Sequence, residues 1–213
     1  MKLKFNMHDY AFMNQLVFLP GASGSQGFWQ PLRAALTEYP DQQVIAYPGF
    51  DGVTPNVAIQ NLYDLQELVN RQIQDDSILI AQSMGGVLAV GLALKHPQKV
   101  KGLVLLATSG GLNLKRFHCA DWRTDYREQF KAVPNWFVQD HTEFNPDQLA
   151  GLEIPILLIW ADHDPLSTIQ VGQYLEKIFK HAKLHIIQGG NHFFANTHAD
   201  QVAALIQDYL EQL

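Results

Sequence analysis

Ser77-Ile-Leu-Ile-Ala-Gln-Ser83-Met-Gly-Gly-Val-Leu-Ala89 passes from an apolar run, through a serine among small residues, into a helix-compatible stretch. Ile78, Leu79, Ile80 and Ala81 suit a short strand buried on both faces. From Val87 the pattern is helical through Leu94 to Lys95 and His96, and Pro97 stops it. Between strand and helix lies Ala81-Gln82-Ser83-Met84-Gly85, a variant of the G-x-S-x-G turn that presents a serine at the end of a buried strand. Such a turn holds the serine in a strained backbone conformation, with its hydroxyl exposed at the C-terminal end of the sheet. Small residues are needed two places before and two after it, because the strand and helix backbones approach closely. Gly85 meets that need and Gly86 adds slack. Ala81 stands where the first glycine is usual, so one methyl must be accommodated. A buried strand followed by an ordinary N-cap serine is the plain alternative.

Working outward, apolar strand-like runs alternate with helical patterns. Gln15–Pro20 precedes a helix near Phe28 to Glu38, and Val44–Pro48 precedes one over roughly Val57 to Gln74. Val100–Ala107 leads into an irregular segment. Ile154–Trp160 precedes a helix over about Thr168 to Phe179, and Leu184–Gln188 leads to a terminal helix from about Asp200 to Leu213. Alternation of this kind predicts an α/β protein: a mainly parallel sheet of about six or more strands with helices on both faces. Residues 1–12 are a candidate for one more edge strand. The stretch from about Gly110 to Gly151 breaks the pattern and mixes aromatic with charged residues. Segments of that length without sheet character inside a compact domain are usually functional. It reads as a small cap inserted into a single domain spanning 1–213, the alternative being a surface excursion whose aromatics merely pack below.

A serine hydroxyl is a weak nucleophile until a neighbouring base takes its proton, and the base needs a carboxylate to fix its tautomer. On this topology the partners follow in the order serine, acid, histidine, each after a later strand. The strand ending at Trp160 runs into Ala161-Asp162-His163-Asp164-Pro165, and the last strand into Gly189-Gly190-Asn191-His192-Phe193. Ser83, Asp164 and His192 are therefore the candidate catalytic residues. Asp162 competes with Asp164 but is better suited to bracing the turn. Among other histidines, His198 competes with His192 more seriously than His181 or His185. Backbone N–H groups must hold the developing oxyanion, and Met84, after the serine, and Ala22, in Pro20-Gly21-Ala22-Ser23-Gly24-Ser25, are the candidates. That loop lacks the Gly-Lys-Ser/Thr sequence of a phosphate cradle. Ser23, Phe117, Trp122, Trp136 and Phe137 are candidates to line a substrate pocket.

Composition narrows the classes. The chain has 213 residues, of which 47% are hydrophobic and 17% charged, enough to bury roughly 70% of the unfolded surface. The net charge of −6 argues against nucleic acid as a partner. A lone cysteine, Cys119, allows no internal disulfide and fits a reducing compartment. Neither a signal-peptide core nor a membrane-length apolar run of about 20 residues is found. A cytoplasmic protein without membrane association is expected. Lys115, Arg116, Arg123, Arg127 and Lys131 gather five of the fifteen basic residues in one stretch. They suit a substrate carboxylate or an acidic acyl carrier protein, or else a solvated face balanced by Asp121, Asp125 and Glu128. A metal site from Asp162, His163, Asp164 and His192 is conceivable by residue type alone.

Together these pieces resemble the α/β-hydrolase superfamily from Leu16 to Leu213. The elbow matches at Ser83, Gly85 and Gly86, the acid turn at Trp160 to Asp164, and the histidine turn at Gly189 to His192. The oxyanion loop matches at Pro20 to Ser25 with Trp29. Pro20 replaces the family's usual histidine, and Ala161 a glycine. Within the superfamily the chain is similar to small capped serine esterases and thioesterases, such as the pimeloyl-ester esterases of biotin synthesis. The resemblance implies hydrolysis of a small-molecule carboxylic ester or thioester through an acyl-enzyme, with no metal or organic cofactor. A lyase or cofactor-free haloperoxidase with the same triad, or a ligand-binding protein on a hydrolase scaffold, are the alternatives.

Overall fold

The computed structural model describes residues 14–123, 126, 128 and 133–213. The possible edge strand at 1–12 lies outside them. Six strands form one sheet in the order β2-β1-β3-β4-β5-β6: β1 Leu16–Leu19, β2 Gln42–Val44, β3 Ser77–Gln82, β4 Val100–Leu106, β5 Ile156–Ala161 and β6 Ala182–Ile187. Every neighbouring pair is parallel. The α-helices with bounds among the described residues are α1 Gln30–Ala35, α2 Leu62–Gln72, α3 Met84–Lys95, α4 Asn135–Gln139, α5 Pro146–Ala150, α6 Ile169–Ile178, α7 Phe194–Thr197 and α8 Ala199–Leu210.

Strand side chains alternate between two cores, as the period of two demands. Val17, Leu79, Leu105 and Leu158 pack with α2, α3 and α6 on one face. Phe18, Ile80, Val104 and Ile159 pack with α1, α7 and α8 on the other. With both faces covered, β3 and β5 are buried at every residue, which is why their sequences read as unbroken apolar runs.

Several boundaries differ from expectation: the first helix stops at Ala35 rather than Glu38 and the last strand starts at Ala182 rather than Leu184, and two differences are larger. The second strand is Gln42–Val44 rather than Val44–Pro48. Past Val44 only Ile45 N–H still reaches β1, donating to the Phe18 carbonyl at 3.0 Å. The chain then crosses the end of the sheet, where the buried Tyr47 hydroxyl donates to the Pro20 carbonyl at 3.1 Å. The second helix begins at Leu62, not Val57, because Asn61 caps it by accepting from Asp64 N–H at 2.9 Å.

The sheet order also makes a crevice. Strand β1 lies between β2 and β3, and it leads to α1 on one face while β3 leads to α3 on the other. Two chains leaving adjacent strands toward opposite faces open a cleft at their carboxyl ends, where ligands of open α/β sheets bind. Pro20–Gly24 and Ser83 flank that cleft.

Helix α3 starts at Met84, so Gly85 and Gly86 form its first turn rather than a separate loop. A Cβ on Gly85 would lie 2.3 Å from the Leu19 carbonyl oxygen and 2.7 Å from that of Pro20. Both obstacles are backbone and cannot swing aside. Gly85→Ala is expected to push α3 off β1 and cost about 2–3 kcal/mol, lowering Tm by about 4–12 °C. A thermal melt within a degree of wild type contradicts this reading of the contact.

The excursion between β4 and β5 carries a short 3-10 turn at Leu114–Phe117, then α4 and α5. Phe137 is its packing centre, with ring centroids of Phe50, Trp122, Tyr126 and Trp136 within 5.9 Å. Asp140 accepts from Leu62 N–H at 2.8 Å, tying the excursion to the start of α2.

Candidate active site

Ser83 sits between β3 and α3 at φ 55°, ψ −118°, a conformation costly for any residue with a side chain. Hydrogen bonds lock it there. Its N–H donates to the Leu106 carbonyl at 3.0 Å, and its carbonyl accepts from Gly86 N–H at 3.0 Å. The buried Thr108 hydroxyl donates to the same carbonyl at 2.6 Å. The elbow is thus fastened to the end of β4 as well as to its own helix.

The two later turns come together beside it. His192 Nδ1 lies 2.7 Å from Asp164 Oδ2, with the histidine side chain 12% exposed and the carboxylate fully buried. Asp164 Oδ1 accepts from Leu166 N–H at 2.8 Å and Ser167 N–H at 3.1 Å. With the carboxylate as acceptor, Nδ1 is the donor, and in the neutral ring that arrangement leaves the lone pair on Nε2. Asp162 instead braces the two turns against each other. Its Oδ1 accepts from Gly189 N–H at 2.7 Å, joining the acid turn to the histidine turn. Gln82 Nε2 also donates to the His192 carbonyl, at 3.2 Å. His198 precedes α8 and bonds the Thr197 hydroxyl, His181 precedes β6, and His185 lies within β6.

Ser83 and His192 line one cavity of about 600 Å³, together with Ala22 and Met84. Among the described residues the two side chains are not hydrogen-bonded to each other, a looseness common before a substrate tightens such a site. Neither the Ala22 nor the Met84 N–H donates to a protein acceptor among the described residues; Met84 is the first residue of α3, where helix amides have no internal partner.

Of the expected pocket residues, Trp122 and Phe137 line the cavity. The other three do not reach its wall. Phe117 packs on Tyr174 at 5.5 Å, Trp136 packs on Phe50 at 6.1 Å, and Ser23 turns back to accept from Ser25 N–H at 3.2 Å. Their aromatic or polar character is spent on the scaffold. Leu112, Asn113, Asp140, His141 and Leu166, which no sequence pattern marked, contribute to the wall instead.

Two supporting links were also hidden from the sequence. Trp160 Nε1 donates to Ser167 Oγ at 3.0 Å, and Ser167 Oγ donates to the Thr108 carbonyl at 3.4 Å. That relay connects the acid turn to the elbow. From the excursion, the Tyr126 hydroxyl donates to the Ala22 carbonyl at 2.6 Å. Burial raises the Tyr126 pKa, so it remains a proton donor through the neutral range. Among the described residues, no group of three or more His, Cys, Asp or Glu side chains could hold a metal ion. No helix there is long and apolar enough to cross a membrane.

A parallel sheet with this order, carrying a serine elbow after β3 and an Asp–His pair after β5 and β6, defines the α/β-hydrolase architecture. The family model described as alpha/beta hydrolase fold matches residues 14–150 and 116–199, and the chain belongs to that family. Among curated relatives, it is 24% identical to the biotin biosynthesis bifunctional protein BioHC of Cellvibrio japonicus, over 93% of this chain and 48% of that protein. It is 23% identical to the pimeloyl-[acyl-carrier protein] methyl ester esterase of Neisseria meningitidis serogroup A, over 68% of this chain and 60% of that protein. The chain therefore spans about half to three-fifths of these two relatives. A solved structure of a putative lipase from Acinetobacter baumannii superposes with a TM-score of 0.76 at 17% identity, covering 94% of this chain and 84% of that one.

Proposed function

We propose that this chain is a serine hydrolase that cleaves a carboxylic ester or thioester through an acyl-enzyme. The observation that carries the reading is the 2.7 Å His192–Asp164 contact on the rim of the cavity that also holds Ser83. In this mechanism Ser83 Oγ attacks the ester carbonyl while His192 Nε2 takes its proton. Asp164 holds the imidazole in the tautomer that can do so and stabilises the imidazolium that forms. The free N–H groups of Ala22 and Met84 receive the oxyanion, each worth about 3–4 kcal/mol to the transition state. His192 then returns the proton to the leaving alcohol or thiol, and a water molecule deacylates Ser83 by the same steps.

The excursion at about 110–151 acts as a cap over the cleft of a single domain, with Trp122 and Phe137 as its apolar contribution to the pocket. Relatives that act on acyl-carrier-protein-linked methyl esters favour an ester substrate, and an acyl carrier protein is the candidate macromolecular partner for the basic residues of that segment.

Covalent labelling tests the reading. A fluorophosphonate probe is expected to attach to the peptide containing Ser83, with Ser83→Ala unlabelled. A ligand-binding protein on the same scaffold leaves the probe unreacted.

A further inference from the structure

Four charged side chains from the excursion line the cavity beside Ser83: Lys115, Arg123, Asp140 and Glu143. Both acids are engaged within the fold. Asp140 accepts from Leu62 N–H and Thr142 N–H, each at 2.8 Å. Glu143 accepts from Asn113 Nδ2 at 2.9 Å. The cations are placed differently. Neither Lys115 Nζ nor the Arg123 guanidinium has a carboxylate within 4.0 Å among the described residues. Arg123 Nε is shut off from solvent with no hydrogen-bond partner among them, while its guanidinium lies 4.9 Å over the Trp122 ring.

A guanidinium stays charged at any working pH, and the two Nη groups of Arg123, which are not shut off from solvent and have no partner among the described residues, are the donors a ligand in the cavity can reach. In a chain of net charge −6, carboxylates to neutralise it are plentiful, yet none of the described ones is placed there. We infer that Arg123, seconded by Lys115, is an anion subsite of this cavity, and that the substrate is an ester carrying a second, anionic oxygen group. The planar fork matches the two oxygens of a carboxylate or phosphate, and stacking on Trp122 holds it in a fixed orientation. The scissile ester lies at Ser83 and the anion at Arg123, so the acyl portion is bound at both ends. This rests on the reading of Ser83 as the nucleophile. The anion has two sources, a carboxylate ending the acyl chain itself or a phosphate on the arm of a thioester.

The deciding experiment measures binding rather than turnover. Ser83→Ala is titrated calorimetrically with monomethyl esters of dicarboxylic acids of increasing length, and with the matching dimethyl esters. A second series compares methyl-ester-capped acyl phosphopantetheine with acyl pantetheine lacking the phosphate. In one series the charged member is expected to bind at least tenfold more tightly than its neutral partner, and that series identifies the source. Arg123→Gln is expected to erase the ratio and Arg123→Lys to restore part of it. The neutral members report whether the cavity survives each substitution. Equal affinities in both series, or a ratio that persists in Arg123→Gln, overturn the subsite. Either result leaves the nucleophile reading intact, whereas failure of Ser83 labelling leaves these affinities interpretable.

Discussion

Ser83→Ala is expected to lower kcat on 4-nitrophenyl butyrate by about four to six orders of magnitude and to leave Tm within about 2 °C of wild type. The two halves of that expectation come from different features. The activity loss follows because removing the hydroxyl removes the atom that forms the acyl bond, and what remains is binding and oxyanion stabilisation. The unchanged stability follows from the local structure. The hydrogen bonds that hold the elbow use the N–H and carbonyl of Ser83, not its hydroxyl. Alanine at φ 55° meets the same Cβ strain that serine already carries. Turnover near the wild-type value in this variant is incompatible with nucleophilic catalysis at the elbow.

Asp164→Asn is expected to cost about three to four orders of magnitude in kcat at neutral pH. The amide oxygen can still accept from Leu166 and Ser167 N–H, as Oδ1 does now. The NH2 group then faces His192 Nδ1 in place of the carboxylate oxygen at 2.7 Å. Two donors cannot share one hydrogen bond, so the imidazole must present a lone pair at Nδ1 and carry its proton on Nε2. That tautomer cannot take the proton of Ser83. Nearly equal volume and the two retained turn hydrogen bonds keep the fold. A loss smaller than tenfold removes Asp164 from the proposed role and leaves it as a bracket for its turn.

The sheet was legible because its signal is repetitive: apolar runs too short for helices, all but Val100–Ala107 followed by a helical pattern. The Asp164–His192 contact was legible because both residues sit in turn sequences at strand ends, where backbone geometry limits which side chain points over the cleft. The pocket wall was not. Phe117, Trp122, Trp136 and Phe137 look alike in a segment without a sustained period, and only packing separates the pair on the cavity from the pair held against Tyr174 and Phe50. Thr108 and Ser167 carry no motif, since an ordinary hydroxyl becomes a link only when two distant turns converge. The early exit of β2 was hidden for a similar reason. Ile45 and Tyr47 are as apolar as strand residues, but they are buried over the sheet's end rather than within it.

The most direct measurement is rapid mixing with saturating 4-nitrophenyl butyrate, acid quench during the first turnover, and peptide mapping by mass. Activated esters commonly acylate faster than they deacylate, so the intermediate accumulates. One butyryl group is expected on the peptide containing Ser83, formed in step with the initial burst of 4-nitrophenolate. Release of 4-nitrophenolate with no acylated peptide, or with the acyl group on another residue, contradicts the acyl-enzyme at Ser83.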